Sequence, residues 1–137
     1  MKTLIAYKSF LGTTKQYAEW LGEEIKADVF KFDQITNLSE YDRIIVMSGT
    51  YAGTMPLIGF LKKHANILKS KEVYAVANGA TLTNSNQEYE KIPKEIRDSI
   101  KYVKIMGATP FANKERKAKE IKKENLSRVI DLLNENN

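Results

Sequence analysis

Residues 43–49, Arg-Ile-Ile-Val-Met-Ser-Gly, form the most continuous apolar run in the chain and are bounded by turn-forming residues. A run so short and unbroken reads as a strand buried on both faces. Such a strand needs parallel neighbours beside it and helices above and below. The surrounding sequence supplies them. Thr3 to Tyr7 reads as a first strand, followed by a helix over about Thr13 to Lys26 on which Thr14, Ala18, Leu21 and Ile25 recur on one face. Asp28 to Phe32 reads as a second strand, with Val29 and Phe30 facing opposite ways. Pro56 suits the first turn of a helix, where its missing N–H has no intrahelical partner, and Leu57, Phe60, Leu61 and Leu68 make the stripe of that helix.

Val73 to Asn78 reads as the fourth strand, and residues 79–92, GATLTNSNQEYEKI, form a polar connection of a length that is often functional. Pro93 then opens a short helix carrying Ile96 and Ile100, and Tyr102 to Met106 reads as the fifth strand. A last helix, about Lys114 to Asn134, is expected to bury Ala118, Ile121, Val129 and Leu132 or Leu133. Strand and helix alternate without a linker, a repeat or a low-complexity segment, so residues 1–137 read as one domain of the α/β class, a parallel sheet between two helical layers with right-handed crossovers. Periodicity leaves the strand order open.

Composition narrows the function. The chain has no cysteine, which removes disulfides, thiolate metal sites and a cysteine nucleophile, and fits a cytoplasmic location. The opening apolar stretch is broken by Lys8 and is too short for a signal sequence or a membrane span. A net charge of +5 and a pI near 9.3 allow attraction to anionic partners. Many of the lysines fall in KERKAKEIKK, residues 114–123, interleaved with acids at helical spacing, which is the pattern of a solvated helix face. No nucleic-acid partner is expected, while peripheral contact with a membrane surface stays open. His64 lies too far along its helix to reach the loops, Trp20 sits beside an apolar stripe, and the adjacent Glu23 and Glu24 diverge in direction. No residues have metal-ligand spacing. Strand three ends in Ser48 and Gly49, where a phosphorelay receiver needs an aspartate.

In open parallel sheets ligands bind beyond the carboxyl ends of the strands, where the strand order reverses. The loop after strand one, KSFLGTTK, places Ser9, Gly12, Thr13 and Thr14 at the mouth of a helix, an arrangement that favours an anion and equally serves as an ordinary helix start. The loop after strand three, SGTYAGTMP, has glycines that admit a planar ligand and Tyr51 as a stacking surface. The loop after strand four supplies Asn78, Gly79, Thr81, Thr83, Asn84 and Ser85, with Tyr89 as a second aromatic wall. Small and hydroxyl residues therefore recur after strands one, three and four, and not with comparable density after strand two.

These segments, MKTLIAYKSFLGTTKQYAEWL and YDRIIVMSGTYAGTMPLIGFLKKHANILKSKEVYAVAN, resemble the flavodoxin superfamily, and more closely the flavodoxin domain of menaquinone-dependent protoporphyrinogen oxidase-type proteins. The resemblance implies a three-layer α/β/α sandwich with a five-stranded parallel sheet of order 2-1-3-4-5, and noncovalent binding of flavin mononucleotide (FMN). Carried over by position, it implies that Ser9, Gly12, Thr13 and Thr14 hold the phosphate. Phe10 and Leu11 occupy the same loop; Leu11 stands where a hydroxyl residue is usual before the glycine, which shifts phosphate contacts toward backbone N–H groups. Thr50, Tyr51, Ala52 and Gly53 would flank the ring, with Asn78, Gly79 and Ala80 along its other side. The implied role is electron transfer or a small flavin-dependent oxidoreduction, with a redox protein or a small-molecule acceptor as partner. Two other readings stand beside it: a quinone- or protoporphyrinogen-linked oxidase, and a binding module of the same fold that has lost FMN.

Overall fold

Alternate residues of the apolar run at 43–49 go to opposite sides of one sheet: Ile44 and Val46 join one buried cluster, Ile45 and Met47 the other, and none of the four is exposed. The computed structural model describes residues 1–51, 54–80 and 90–135. In it the strands β1 (Thr3–Lys8), β2 (Asp28–Lys31), β3 (Arg43–Gly49), β4 (Glu72–Gly79) and β5 (Ile100–Met106) form one parallel sheet of order 2-1-3-4-5. The order changes direction between β1 and β3, so the loops that follow those two strands diverge at the carboxyl edge. This is the flavodoxin-like α/β architecture.

One layer holds α1 (Thr13–Ile25) and the C-terminal helix, with Tyr17, Ala18, Leu21, Val129 and Leu133 buried against Ile5, Ile45 and Tyr74. The other holds α2 (Pro56–Lys63), α3 (Ala65–Leu68) and α4 (Lys94–Arg97), which bury Leu57, Leu61, Leu68 and Ile96 against Leu4, Ile44 and Ala75. Each fully buried Leu or Ile contributes roughly 1.5–3 kcal/mol through removal of apolar surface from water.

Four local expectations are corrected. The second strand stops at Lys31, because Phe32 turns into a 3₁₀ helix (Phe32–Gln34) and stacks on Phe60 with ring centroids 4.6 Å apart. The helix opened by Pro56 breaks at His64, whose backbone leaves the helical region and whose ring packs on Phe60. Burial and the charge of Lys63 hold the His64 imidazole below its ordinary pKa. Ile100 begins β5 and does not belong to the preceding helix. The expected single C-terminal helix is three pieces, α5 (Lys114–Glu120), a 3₁₀ turn (Lys123–Leu126) and α6 (Ser127–Asn134), separated by extended backbone at Ile121 and Lys122. Ala118 is exposed and α5 buries none of its residues, while Leu126 fills the core in its place. The break is held by Asn125, whose Nδ2 donates to the Glu120 carbonyl and to the Tyr17 hydroxyl, each at 2.8 Å.

No described helix is long and apolar enough to cross a membrane.

Candidate functional site

Gly12 adopts φ of +91°, a left-handed conformation that suits glycine, and its N–H donates to Ser9 Oγ at 3.0 Å. This closes the β1–α1 loop and delivers the chain into α1 with no side-chain cap and no acidic residue in the first turn. The first-turn N–H groups therefore have no intrahelical partner, and the positive end of the helix dipole points out of the loop. Thr14 turns the other way. It is 1% exposed, and its hydroxyl accepts from Asn78 Nδ2 at 2.8 Å, tying the start of α1 to the end of β4. Asn78 Nδ2 also reaches the Ser48 carbonyl at 3.4 Å, and Ser48 Oγ in turn accepts the Leu57 N–H at the start of α2. One buried amide thus joins three of the elements that meet at this edge.

After β3, the Thr50 N–H donates to the Asn78 carbonyl at 2.8 Å, and Tyr51 and Thr54 exchange backbone hydrogen bonds at 2.8 and 2.9 Å across the tip of the loop. The Tyr51 ring folds back, so that a Cβ added at Gly49 would lie 2.6 Å from its hydroxyl oxygen. Phe10 packs edge-on against it with centroids 4.8 Å apart. Burial raises the pKa of the Tyr51 phenol, opposed by a hydrogen bond from the Phe10 backbone. Between these loops lies a cavity of about 140 Å³ lined from the first loop by Leu11 and Thr13, from the second by Thr50 and Tyr51, and from the third by Asn78, Gly79 and Ala80.

The structure thus brings together seven of the residues singled out from sequence. Ser9, Phe10 and Gly12 instead line a second cavity of about 430 Å³ on the other side of the first loop, together with Lys8, Lys15 and Lys31. Thr14 lies beneath the loops, and Ala52 and Gly53 fall outside the described residues, as do Thr81, Thr83, Asn84, Ser85 and Tyr89.

A fourth loop was missed. Gly107, Ala108 and Pro110, after β5, complete the lining, with the Gly107 N–H donating to the Gly79 carbonyl at 2.7 Å. The signal was present, since Gly-Ala-Thr-Pro has the same small and hydroxyl character as the other three loops. Glu120 anchors this loop, its carboxylate accepting from the Thr109 hydroxyl and, at 3.2 Å, from the Thr109 N–H. Those two bonds, with a smaller contribution from Arg116, hold its pKa below the ordinary 4.5 against opposing desolvation. Because the folded pKa is depressed, the stabilisation is present above pH 4.5 and is lost as pH falls through the folded value. Glu120→Gln is therefore expected to melt earlier than the parent at neutral pH. The two melting curves should converge in acid, and a difference that persists there would remove this anchor from the account.

One observation speaks directly to what the cavity accepts. Thr50 Oγ1 is buried, belongs to a lining residue, and has no hydrogen-bond partner; among the described residues it is the one buried side-chain polar atom in that condition. Such an atom costs about 1–3 kcal/mol unless something satisfies it. Open first-turn amides, an orphaned hydroxyl, small residues at the strand ends and an aromatic cover fit a planar, polar ligand with an anionic tail. No described group of three or more His, Cys, Asp or Glu residues is placed to hold a metal ion.

A family model described as a flavodoxin domain matches residues 4–124. No curated protein matches the chain. Among solved structures, a flavodoxin from the domain Archaea is 23% identical over 80% of this chain and 87% of its own, with a TM-score of 0.57. A protein from Bacteroides uniformis ATCC 8492, described as a putative flavoprotein, is 17% identical over 95% of this chain and 97% of its own, with a TM-score of 0.65. A flavoprotein from Lactobacillus acidophilus NCFM, crystallised with FMN, is 21% identical over 77% of this chain and 91% of its own, with a TM-score of 0.57.

Proposed function

Because this chain belongs to the flavodoxin-domain family, we propose that it binds FMN noncovalently at the carboxyl edge of its sheet and works in electron transfer or as a small flavin-dependent oxidoreductase. The orphaned Thr50 hydroxyl carries the reading, because it stands among the strand-end loops with a proton to donate to a polar ring edge. FMN supplies the electron-accepting ring, and the protein supplies position, electrostatics and shielding. Backbone N–H groups at Thr13 and Thr14 would take the phosphate at the positive end of the α1 dipole. The Gly79 and Ala80 backbone would lie along the ring, and Tyr51 would cover it.

A cavity of 140 Å³ is smaller than the roughly 300–1,000 Å³ of most ligand sites, so Tyr51 and Phe10 would move outward on binding. The match of the Lactobacillus acidophilus flavoprotein, which was crystallised with FMN, supports the choice of cofactor.

The test uses Thr50→Val. Valine has the shape of threonine without the hydroxyl, so in the free protein it removes a buried polar atom that nothing satisfies. The variant is expected to be as stable as the parent or more so, by up to about 1–3 kcal/mol in urea denaturation, and to bind FMN about tenfold more weakly by fluorescence titration. Unchanged FMN affinity would take Thr50 out of the site, and a parent protein that retains no FMN would favour the binding-module reading.

The second reading, oxidation linked to a hydrophobic acceptor such as a quinone or a protoporphyrinogen, is favoured by the rim. Phe10 is 59% exposed, Leu11 75% and Phe111 104%, and the last follows Pro110 of the cavity wall. Exposed apolar side chains on the loops after β1 and β5, at the same edge of the sheet, are candidates for a contact surface. Steady-state reoxidation of the reduced protein faster by a lipophilic quinone than by a water-soluble acceptor is expected under this reading; no preference for the lipophilic acceptor returns the first, whose partner is a redox protein or a small soluble acceptor.

A further inference from the structure

Lys104 is 4% exposed on β5, at a position where the alternation of the sheet calls for an apolar side chain. Its neighbours on that face are Tyr102, which packs on the α2 layer, and Ala77, its partner across β4. A leucine or methionine would fill the space without desolvating an ammonium. The side chain runs along the sheet toward the carboxyl edge: a Cβ added at Gly79 would meet Lys104 Cε at 3.0 Å, Lys104 Nζ at 3.4 Å and Thr50 Cβ at 3.6 Å. The ammonium therefore ends beside Gly79 of the cavity wall, on the side of the sheet from which the loops after β3 and β4 leave. Its backbone is fixed as well, because the Lys104 carbonyl accepts from Arg128 Nη1 at 2.8 Å, joining the strand to α6.

We propose that Lys104 is a positioning residue that sets which redox form of FMN this site prefers, its buried positive charge favouring the reduced ring over the oxidised one. The inference rests on the FMN reading above. Uptake of two electrons and one proton gives an isoalloxazine ring one negative charge more than the oxidised form, and a cation held in a poorly solvated place nearby stabilises the form with that charge. A purely structural lysine would support both forms alike. Lys104 supports one above the other.

The experiment measures the affinity of the protein for oxidised FMN and, anaerobically, for FMN reduced with dithionite, in the parent and in Lys104→Met, Lys104→Gln and Lys104→Arg. Methionine keeps the length and removes the charge; glutamine keeps hydrogen bonding, and serves if the methionine variant fails to fold. In the neutral variants reduced FMN is expected to weaken about tenfold more than oxidised FMN, equivalent to about 30 mV in the two-electron potential. Lys104→Arg is expected to keep the parental ratio within about threefold. An unchanged ratio in both neutral variants, or an equal loss of both forms, overturns the inference while leaving the FMN site in place. A parent protein that holds neither form removes the FMN reading and this inference together.

Discussion

A Gly107→Ala variant is expected to lose about tenfold or more in FMN affinity and about 1–3 kcal/mol in stability. The added Cβ would sit 2.8 Å from the Gly79 nitrogen, 2.9 Å from the Gly79 Cα and 3.0 Å from Asn78 Oδ1. The first two are backbone atoms and the third belongs to a buried side chain, so none can swing aside as the tip of a flexible side chain would. The loop after β5 has to lift, which breaks the 2.7 Å bond between Gly107 and Gly79 and widens the cavity on the side where Lys104 ends. Urea denaturation and FMN fluorescence titration on the same preparation measure both effects. Parental values in both would mean that the ends of β4 and β5 separate without cost.

Asn78→Leu is expected to be as damaging for a different reason. The branching and the number of side-chain heavy atoms are conserved, but the Thr14 hydroxyl and the Ser48 carbonyl lose the amide that now reaches them, each in a buried place. Leaving buried polar groups unmet costs about 1–3 kcal/mol for each strong bond lost. The start of α1 is also released from the sheet, so amide exchange at residues 16–18, the first hydrogen-bonded amides of the helix, should rise more than nearer its C-terminal end, and FMN affinity should fall with it. If exchange rises uniformly along α1, the amide contributes only to global stability and does not hold the phosphate loop.

Both residues show where the sequence stops being readable. Asn78 was visible as a polar residue at a strand end, yet its function as a tie depends on Thr14, 64 residues away. The strands and the α1 face were legible because each carries its own period: Ile44 to Met47 alternate between layers, and Ala18 and Leu21 recur on the buried side of a helix. Lys114 to Lys123 carries no such signal, since charges surround the helix, and the break after Glu120 is set by bonds to Thr109, Asn125 and, through Asn125, Tyr17. Those partners meet only in three dimensions. Gly107 was missed for the same reason. Its composition resembles that of the other loops, but nothing local shows that two backbones pass within van der Waals contact there.

The C-terminal third of the chain is built in two grades of firmness. β5 is locked by its pairing with β4 and by Arg128, whereas α5 buries no residue and is held at its end by Glu120 and Asn125. A helix with no apolar face in the core opens at far lower cost than the sheet beneath it. The segment from Gly107 to Glu120 can therefore detach as a unit while the rest of the molecule stays folded, and it carries Ala108 and Pro110 of the cavity wall with it. Anything that occupies the cavity closes this seam, so occupancy is recorded in the protease resistance of the cluster Lys114, Arg116, Lys117 and Lys119, although none of these side chains reaches the cavity.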